Sequence, residues 1–274
     1  MESQSIPIST RWLLDAVGET GRSAVNAVYL VVCPRMQSKG TGFLLKSGVL
    51  VTNWHVICHC QARVNLGAQC QCDPRTVNSD VLAFDSNGQQ QVFRRLAFDQ
   101  HRDLAMLEPS TPLAGGLTVR TGFNIAIGTQ ICTWGHPLGY DGPAPVLTMG
   151  YVSGFVARKT PVIKHFVVNA AFNPGNSGGP LLVAGEGSVI GVVVSKHAPI
   201  SRRLASIIEV LSKQQSGVVY YATDDQGNRQ ALTEAQLVAE VLLYFRQMTQ
   251  VVLGEAIHGE ELIAFLRANH IPIE

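Results

Sequence analysis

The sequence predicts an all-β protein built from two groups of short strands. Short β-type runs separated by turn residues follow one another from about residue 24 to residue 223. A connection at residues 111–127 divides them into six runs before it and six after it. Short strands at regular spacing are typical of β-barrels and β-sandwiches. A helical pattern follows near the C-terminus.

Composition limits the classes of partner that the chain is expected to bind. The 274 residues are 46% hydrophobic and 15% charged, which allows one large or two small domains with a sizeable core. The net charge of +1 gives no reason to expect a nucleic-acid or membrane partner. Residues 1–10 lack the pattern of a secretory signal, and no apolar run has the length of a membrane span. We therefore expect a cytoplasmic location.

The strand runs follow a short helix in an N-terminal segment, residues 1–23. Thr10–Val17 has helical character, with Thr10 as its N-cap. The first group, about 24–110, contains Val25–Val32, Gly42–Lys46, Val49–Thr52, Val81–Ala83, Val92–Ala97 and Leu104–Glu108. The second group, about 128–223, contains Thr129–Trp134, Val146–Val156, Phe166–Asn169, Pro180–Val183, Ser188–Val194 and Gly217–Tyr221.

The stretch Asn173–Pro180, NPGNSGGP, has the composition of a nucleophile loop. Ser177 lies between Gly175 and a pair of glycines, so the backbone can turn tightly there and expose the hydroxyl. The N–H groups of Gly175 and Ser177 can then point at one spot and stabilise an oxyanion. The same composition also marks an ordinary turn between two strands.

A serine hydroxyl needs a base that a third group holds in place, and the sequence offers both partners upstream. His55 follows the apolar run that ends at Thr52, and Asp103 opens another apolar run. Asp99 and His101 are close to Asp103 in sequence but open no strand, so we expect them at the surface.

Four groups of motifs resemble the HtrA/Deg branch of the trypsin-like serine proteases, in the same order. GTGF at 40–43 with VTNWHV at 51–56 is similar to GSGF and TNxHV, and DLAML at 103–107 is similar to DLAxL. GHPLG at 135–139 with GYVS at 150–153 resembles GNPxG and GxVS, and AAFNPGNSGG at 170–179 resembles AAINPGNSGG. These matches span about residues 25–195.

The resemblance implies two six-stranded barrels with a catalytic triad in the cleft between them. His55 and Asp103 come from the first barrel, and Ser177 comes from the second. The implied activity is that of a serine endopeptidase on protein or peptide substrates. It uses an oxyanion hole at Gly175 and Ser177 and requires no cofactor. The alternative is a catalytically silent barrel that binds partners, and the complete triad favours the enzyme.

Two positions differ from the digestive trypsins. Asn176 replaces the aspartate that pairs with a newly cut amino terminus in zymogen-activated enzymes, and an amide cannot form that ion pair. Ala171 lies six residues before the serine, at the position that the resemblance gives to the base of the specificity pocket. A pocket lined by Ala171, Phe172 and Val194 offers no carboxylate to a basic side chain. We therefore expect cleavage after small or medium aliphatic residues.

Residues 224–274 are predicted to form a helical C-terminal extension, and nothing after Tyr221 resembles a PDZ domain. Thr233 and Gln236 form a possible capping box for a first helix. Apolar residues at helical spacing follow: Leu237, Val241, Tyr244, Phe245, Met248 and Val252. Gly254 would end this helix, and Gly259–Ala268 is predicted as a second. The helices either pack on the second barrel or form an oligomerisation or adaptor surface.

Four of the six cysteines form a C-x-C…C-x-C pattern after the candidate catalytic histidine: Cys58, Cys60, Cys70 and Cys72. In a reducing compartment, four close thiols are more often a metal site than disulfides, because Zn²⁺ accepts four thiolates. A structural zinc is therefore one hypothesis. Disulfides, a redox-sensing loop and unpaired cysteines are the alternatives.

Overall fold

Strands form two closed six-stranded antiparallel barrels in the computed structural model of the chain, which confirms the predicted fold class. The structure describes residues 8–33, 38–58, 81–122, 124–158, 162–194, 202–223, 229–248 and 253–273. The chain divides into two units. Unit 1, Met1–Lys196 with Val252–Glu274, contains both barrels, and unit 2 is His197–Val251.

Barrel one contains the first six strands, in the order β1-β2-β3-β6-β5-β4 around the barrel. They are β1 Val28–Cys33, β2 Ser38–Leu44, β3 Leu50–Thr52, β4 Leu82–Phe84, β5 Gln90–Asp99 and β6 Leu104–Pro109. Two helices precede it, α1 Ile8–Ala16 and α2 Gly18–Ala27, so the predicted first strand begins three residues later than expected. Phe43, Leu50 and Met106 are fully buried in its core.

Barrel two has the strand order β10-β11-β14-β9-β8-β7. Its strands are β7 Gln130–Gly135, β8 Val146–Arg158, β9 Ile163–Val168, β10 Pro180–Val183, β11 Val189–Val194 and β14 Gly254–His258. Helix α6, Gly259–Ala268, follows β14 directly and has the predicted bounds. Leu262, Phe265 and Leu266 of this helix are buried, as its spacing predicts.

The sixth strand of barrel two differs from the predicted one. Gly254–His258 pairs with β11 on one side and β9 on the other, although the sequence analysis treated Gly254 as a helix stop. Gly217–Tyr221, predicted as this strand, instead overlaps a strand of unit 2. The reason is that GEAIH is short and follows a helical pattern, which hides a strand that tertiary pairing stabilises.

In the chain, unit 2 follows β11 and precedes β14. Its described residues form a two-stranded antiparallel sheet and two helices. Its elements are α4 Arg202–Lys213, β12 Val219–Thr223, β13 Arg229–Thr233 and α5 Glu234–Met248. The predicted capping box is confirmed: Gln236 Oε1 accepts from Thr233 N–H at 2.8 Å, and Gln236 N–H donates to Thr233 Oγ1 at 3.3 Å.

Helix α5 exposes part of the apolar face that its spacing defines. Val241, Tyr244 and Phe245 are 52%, 58% and 63% exposed. An oligomerisation or adaptor role for this face stays a prediction. Among the described residues, no helix combines the length and apolar character needed to cross a membrane.

Candidate active site

His55 is placed by the end of strand β3. That strand runs through Thr52 into α3, Trp54–Ile57, which carries His55 in its first turn. Strand β3 pairs with β6, and Thr52 lies opposite Ala105 in the register. The start of β6 therefore lies beside the segment that leads into His55.

Asp103 stands immediately before β6 in a backbone conformation that few residues adopt. Its φ is 54°, in the left-handed region, which aspartate tolerates better than most residues. Its carbonyl accepts from Asn53 Nδ2 at 2.9 Å and from the Trp54 N–H at 3.1 Å. These bonds hold Asp103 against the segment around His55 and stabilise the unusual φ.

Both carboxylate oxygens of Asp103 contact His55. Oδ1 accepts the backbone N–H of His55 at 2.9 Å, and Oδ2 lies 2.7 Å from the ring Nδ1. Because an ionised carboxylate only accepts, this contact places the ring proton on Nδ1 and leaves the Nε2 lone pair available. The two side chains are 32% and 26% exposed, so the pair borders solvent.

Hydrogen bonds and ion pairs of Asp99 and Arg102 stabilise the turn at residues 99–102, directly before Asp103. Asp99 accepts the backbone N–H groups of His101 and Arg102, and its second oxygen pairs with Arg102 at 2.6 Å. Arg102 also donates to Glu261 of α6 at 3.1 Å. His101 is exposed, as expected, whereas Asp99 is half-buried because of these contacts.

The nucleophile loop begins with a type II turn. Asn176 N–H donates to the Asn173 carbonyl at 3.0 Å, and Gly175 at the third position has φ 97°. Proline at the second position and a glycine with positive φ at the third define this turn type. The carbonyl of Pro174, in the central peptide, accepts the Leu138 N–H at 2.7 Å.

A second type II turn follows at once and contains Ser177. Gly179 N–H donates to the Asn176 carbonyl at 3.0 Å, and Gly178 has φ 85°. Ser177 occupies the second position and is 3% exposed, so the tight turns bury most of the residue rather than exposing it. Gly178 N–H donates to the Val193 carbonyl at 2.8 Å, which ties the loop to β11.

Thr41 of strand β2 links the nucleophile loop to barrel one. Its N–H donates to the Ser177 carbonyl at 2.7 Å, and its hydroxyl donates to the Gly175 carbonyl at 2.7 Å. The hydroxyl also accepts the His136 N–H at 3.0 Å, while the Thr41 carbonyl accepts the Thr52 hydroxyl at 2.7 Å. Thr41 is fully buried. Thr41 is not among the functional residues predicted from the sequence, although it stands between the two glycines of GTGF at 40–43.

Gly175 and Gly178 must be glycines for two reasons: both have positive φ, and neighbouring atoms lie too close to leave room for a Cβ. A Cβ on Gly175 would lie 2.3 Å from the His136 carbonyl oxygen. A Cβ on Gly178 would lie 2.3 Å from Thr52 Oγ1 and 3.0 Å from the Asn53 nitrogen. The residue after Ser177 therefore lies against the segment that leads into His55.

His136 lies beside the loop as a buried, neutral imidazole. It is 2% exposed, and burial together with the charge of Lys39 lowers its pKa to about 4. Its Nε2 has no hydrogen-bond partner among the described residues. The family motif that this stretch resembles, GNPxG, has asparagine at this position. The motif therefore did not predict a buried titratable group here.

The predicted pocket residues lie where β11 and β14 meet the loop. Val194, half-buried, ends β11 and pairs with Glu255. Phe172 is 5% exposed, and a Cβ on Gly254 would lie 2.5 Å from its ring. Ala171 is half-buried beside it.

Of the four cysteines proposed for zinc, only Cys58 belongs to the described residues, and it is buried at the end of α3. Cys60, Cys70 and Cys72 lie outside them, so the zinc hypothesis stays a prediction. Within the described ranges, no group of three or more metal-ligating side chains comes together.

Sequence comparison finds relatives among curated serine proteases. The curated relatives include Protease Do-like 1, chloroplastic, of Arabidopsis thaliana, which is 32% identical over 172 residues, 60% of this chain and 34% of that protein. The putative serine protease HhoA of Synechocystis is 30% identical over 167 residues, 58% of this chain and 37% of that protein. The chain thus spans about a third of the length of these relatives.

Solved structures share the fold at low sequence identity. The inactive form of the Rv3671c protease aligns with a TM-score of 0.57 and 14% identity, over 93% of this chain and 94% of that one. The HtrA-type protease AlgW with a decapeptide aligns with a TM-score of 0.54 and 17% identity, over 92% and 66%. The family model for the trypsin-like peptidase domain matches residues 40–192, more than half of the sequence. The chain therefore belongs to the trypsin-like peptidase family.

Proposed function

We propose that the protein is a serine endopeptidase in which Ser177 is the nucleophile, His55 the general base and Asp103 its orienting partner. The observation that carries this proposal is the double contact of Asp103 with His55, at 2.9 and 2.7 Å. A carboxylate that fixes both the backbone and the Nδ1 of a histidine prepares its Nε2 to accept a proton. The loop that carries Ser177 lies against Thr52 and Asn53, the segment that leads into His55. In our proposal the Ser177 hydroxyl is the proton donor to Nε2.

The backbone of the nucleophile loop supports an oxyanion hole at Gly175 and Ser177. The C=O and N–H of a trans peptide point in opposite directions. Because Leu138 takes the Pro174 carbonyl on one side, the Gly175 N–H points to the other side of the loop. In our proposal that side is the cleft, where the N–H groups of Gly175 and Ser177 stabilise the charge of a tetrahedral intermediate.

The proposed reaction has two stages, acylation of Ser177 and hydrolysis of the acyl group by water. The Ser177 hydroxyl attacks the peptide carbonyl, and its proton passes to Nε2 of His55. The imidazolium is stabilised by Asp103 and returns the proton to the departing amine, which leaves an acyl group on Ser177. Water deprotonated by His55 hydrolyses the acyl group and regenerates the hydroxyl.

The residues around the proposed specificity pocket favour small or medium aliphatic side chains before the scissile bond. Phe172 and Val194 contribute apolar surface, and only a glycine at 254 leaves room for the Phe172 ring, since a Cβ there would lie 2.5 Å from it. A buried basic side chain would find no carboxylate from Ala171, Phe172 or Val194. A peptide library should therefore show Val, Ala or Ile before the cut; dominant Arg or Lys would contradict this pocket assignment.

Labelling with a fluorophosphonate probe tests the catalytic assignment. The probe phosphonylates an activated serine with loss of fluoride, so wild-type protein should be labelled and peptide mapping should place the label on Ser177. Ser177→Ala should not be labelled, whereas Ser153→Ala, which changes an exposed serine of β8, should match wild type. A folded wild-type protein that resists labelling would support the alternative, a silent barrel that binds partners.

A further inference from the structure

The hydroxyl of Thr41 closes a ring of hydrogen bonds around the proposed oxyanion peptide. Two segments meet at this hydroxyl: the nucleophile loop through Gly175, and the 135–139 loop through His136. The same two segments meet again where the Leu138 N–H donates to the Pro174 carbonyl. All three bonds lie between 2.7 and 3.0 Å.

The direction of each bond in the ring is fixed by chemistry. The Gly175 carbonyl can only accept and the His136 N–H can only donate, so the Thr41 hydroxyl must donate to the first and accept from the second. Valine has nearly the shape of threonine but offers neither function. Serine offers both.

The loop sequence alone does not select the observed turn. Proline at the second position suits both type I and type II turns. Gly175 adopts positive and negative φ with similar ease. In a type I turn the central peptide would be rotated, with the Pro174 carbonyl on the side where the Gly175 N–H now points. The choice between these two settings therefore rests on the partners of the loop.

We propose that the Thr41 hydroxyl is a positioning group that holds the Gly175 peptide in the setting that forms the oxyanion hole. It acts by fastening Gly175 directly and by holding the 135–139 loop, whose Leu138 N–H fixes the Pro174 carbonyl. Thr41 touches no reacting atom. Its catalytic importance rests on the proposed endopeptidase function, but the turn geometry that it selects does not.

The kinetic test compares Thr41→Val with Thr41→Ser in the hydrolysis of p-nitrophenyl acetate. We expect Thr41→Val to lower kcat by at least about 10-fold. The loss should be smaller than the 10²–10³-fold that is typical when an oxyanion donor itself is removed. KM should change little, and Thr41→Ser should restore kcat to near the wild-type value. Thr10→Val is the matched control, since the buried Thr10 hydroxyl donates to the Ser86 carbonyl at 2.8 Å. It should lower stability without lowering kcat.

Crystal structures of wild type and Thr41→Val test the geometry without reference to activity. We expect the variant to lose the positive φ of Gly175 and the bond from Leu138 to Pro174. A folded Thr41→Val that keeps both, or that keeps wild-type kcat, would overturn the inference. A wild type that has this turn but hydrolyses no ester would contradict the proposed function alone.

Discussion

The two halves of the candidate active site are held in different ways. On barrel one, His55 and Asp103 contact each other directly, and the Asp103 carbonyl also binds Asn53 and Trp54, the two residues before His55. On barrel two, the Ser177 loop depends on partners from three other segments, at Thr41, Leu138 and Val193. We call the first half, residues 53–55 with Asp103, the clamp. We call the second half, the Ser177 loop with its partners Thr41, Leu138 and Val193, the assembly.

This difference predicts how each half fails. Changes to the clamp should remove the chemistry and leave the fold intact, since few other contacts depend on it. On the other half, changes to the glycines of the Ser177 loop or to the partners that hold it, rather than to Ser177 itself, should shift the loop geometry and reduce activity by smaller factors. The substitutions below separate the two cases, from the largest expected effect to the smallest.

Loss of either reacting side chain should have the largest effect. We expect Ser177→Ala and His55→Ala each to lower kcat by at least about 10⁴-fold, because the nucleophile and base act as a unit. Thermal unfolding should confirm that both variants fold. His101→Ala, which changes an exposed histidine close to Asp103, should retain wild-type activity; equal losses at His101 and His55 would contradict the assignment.

Asp103→Asn should follow, with a loss of about 10⁴-fold in kcat for a triad aspartate. An amide can donate to Nδ1 and so favours the wrong tautomer of His55. The control is Asp99→Asn, which weakens the turn but does not touch His55. If Asp103→Asn lost no more activity than Asp99→Asn, the clamp would have no role in catalysis.

Gly175→Ala tests the assembly on barrel two. A Cβ would lie 2.3 Å from the His136 carbonyl, and φ 97° is unfavourable for alanine. We expect kcat to fall by about 10²–10³-fold, as for a lost oxyanion donor. Gly185→Ala has a similar φ of 85° but nothing within 4 Å of the new Cβ. It should cost only about 1 kcal/mol of stability and leave kcat unchanged.

The buried His136 should make the assembly sensitive to acid. Because its folded-state pKa of about 4 lies below the unfolded value, the unfolded state binds the extra proton first as pH falls. Stability should therefore be complete above about pH 6.5 and decrease toward pH 4. Burial also lowers the pKa of His165 and His258, which act in the same direction.

A variant isolates this contribution. Urea unfolding at pH 7 and pH 5 should show wild type losing about 2 kcal/mol more than His136→Asn between the two values. An equal loss in both proteins would mean that His136 is already protonated, or already exposed, in the folded state at pH 5.

The smallest effect is expected in unit 2. Thr233→Ala removes one half of the capping box of α5 and should destabilise unit 2 by about 1 kcal/mol. Ester hydrolysis should be unaffected, since Thr233 belongs to unit 2 and the residues of the candidate site belong to unit 1. A reduced kcat with an unchanged melting profile would show that unit 2 is coupled to catalysis.

Sequence was most informative where a residue's role depends on its neighbours in the chain. The strands that carry the site were predictable from short apolar runs, and the capping box and α6 from local patterns. Glycine, proline and serine in the 173–179 segment likewise indicated that the backbone turns tightly there, although not that it forms two consecutive turns or that Ser177 is buried.

Features that depend on distant partners were not predictable in this way. Strand β14 exists because Gly254–His258 pairs with β9 and β11, about 90 and 65 residues earlier in the chain. The role of Thr41 depends on a bond to Gly175, 134 residues away, and a threonine in a strand gives no sign of it. Helix α4, Arg202–Lys213, has no counterpart among the elements that the sequence predicted.

The acylation of Ser177 is the most direct test of the account. Rapid mixing of purified protein with p-nitrophenyl acetate should release a burst of about one nitrophenol per chain, followed by slower turnover, because we expect acylation of Ser177 to be faster than deacylation. Intact mass after an acid quench should show one acetyl group per chain, absent from Ser177→Ala. Identical, burst-free hydrolysis by wild type and Ser177→Ala would contradict the proposal that this chain is a serine endopeptidase.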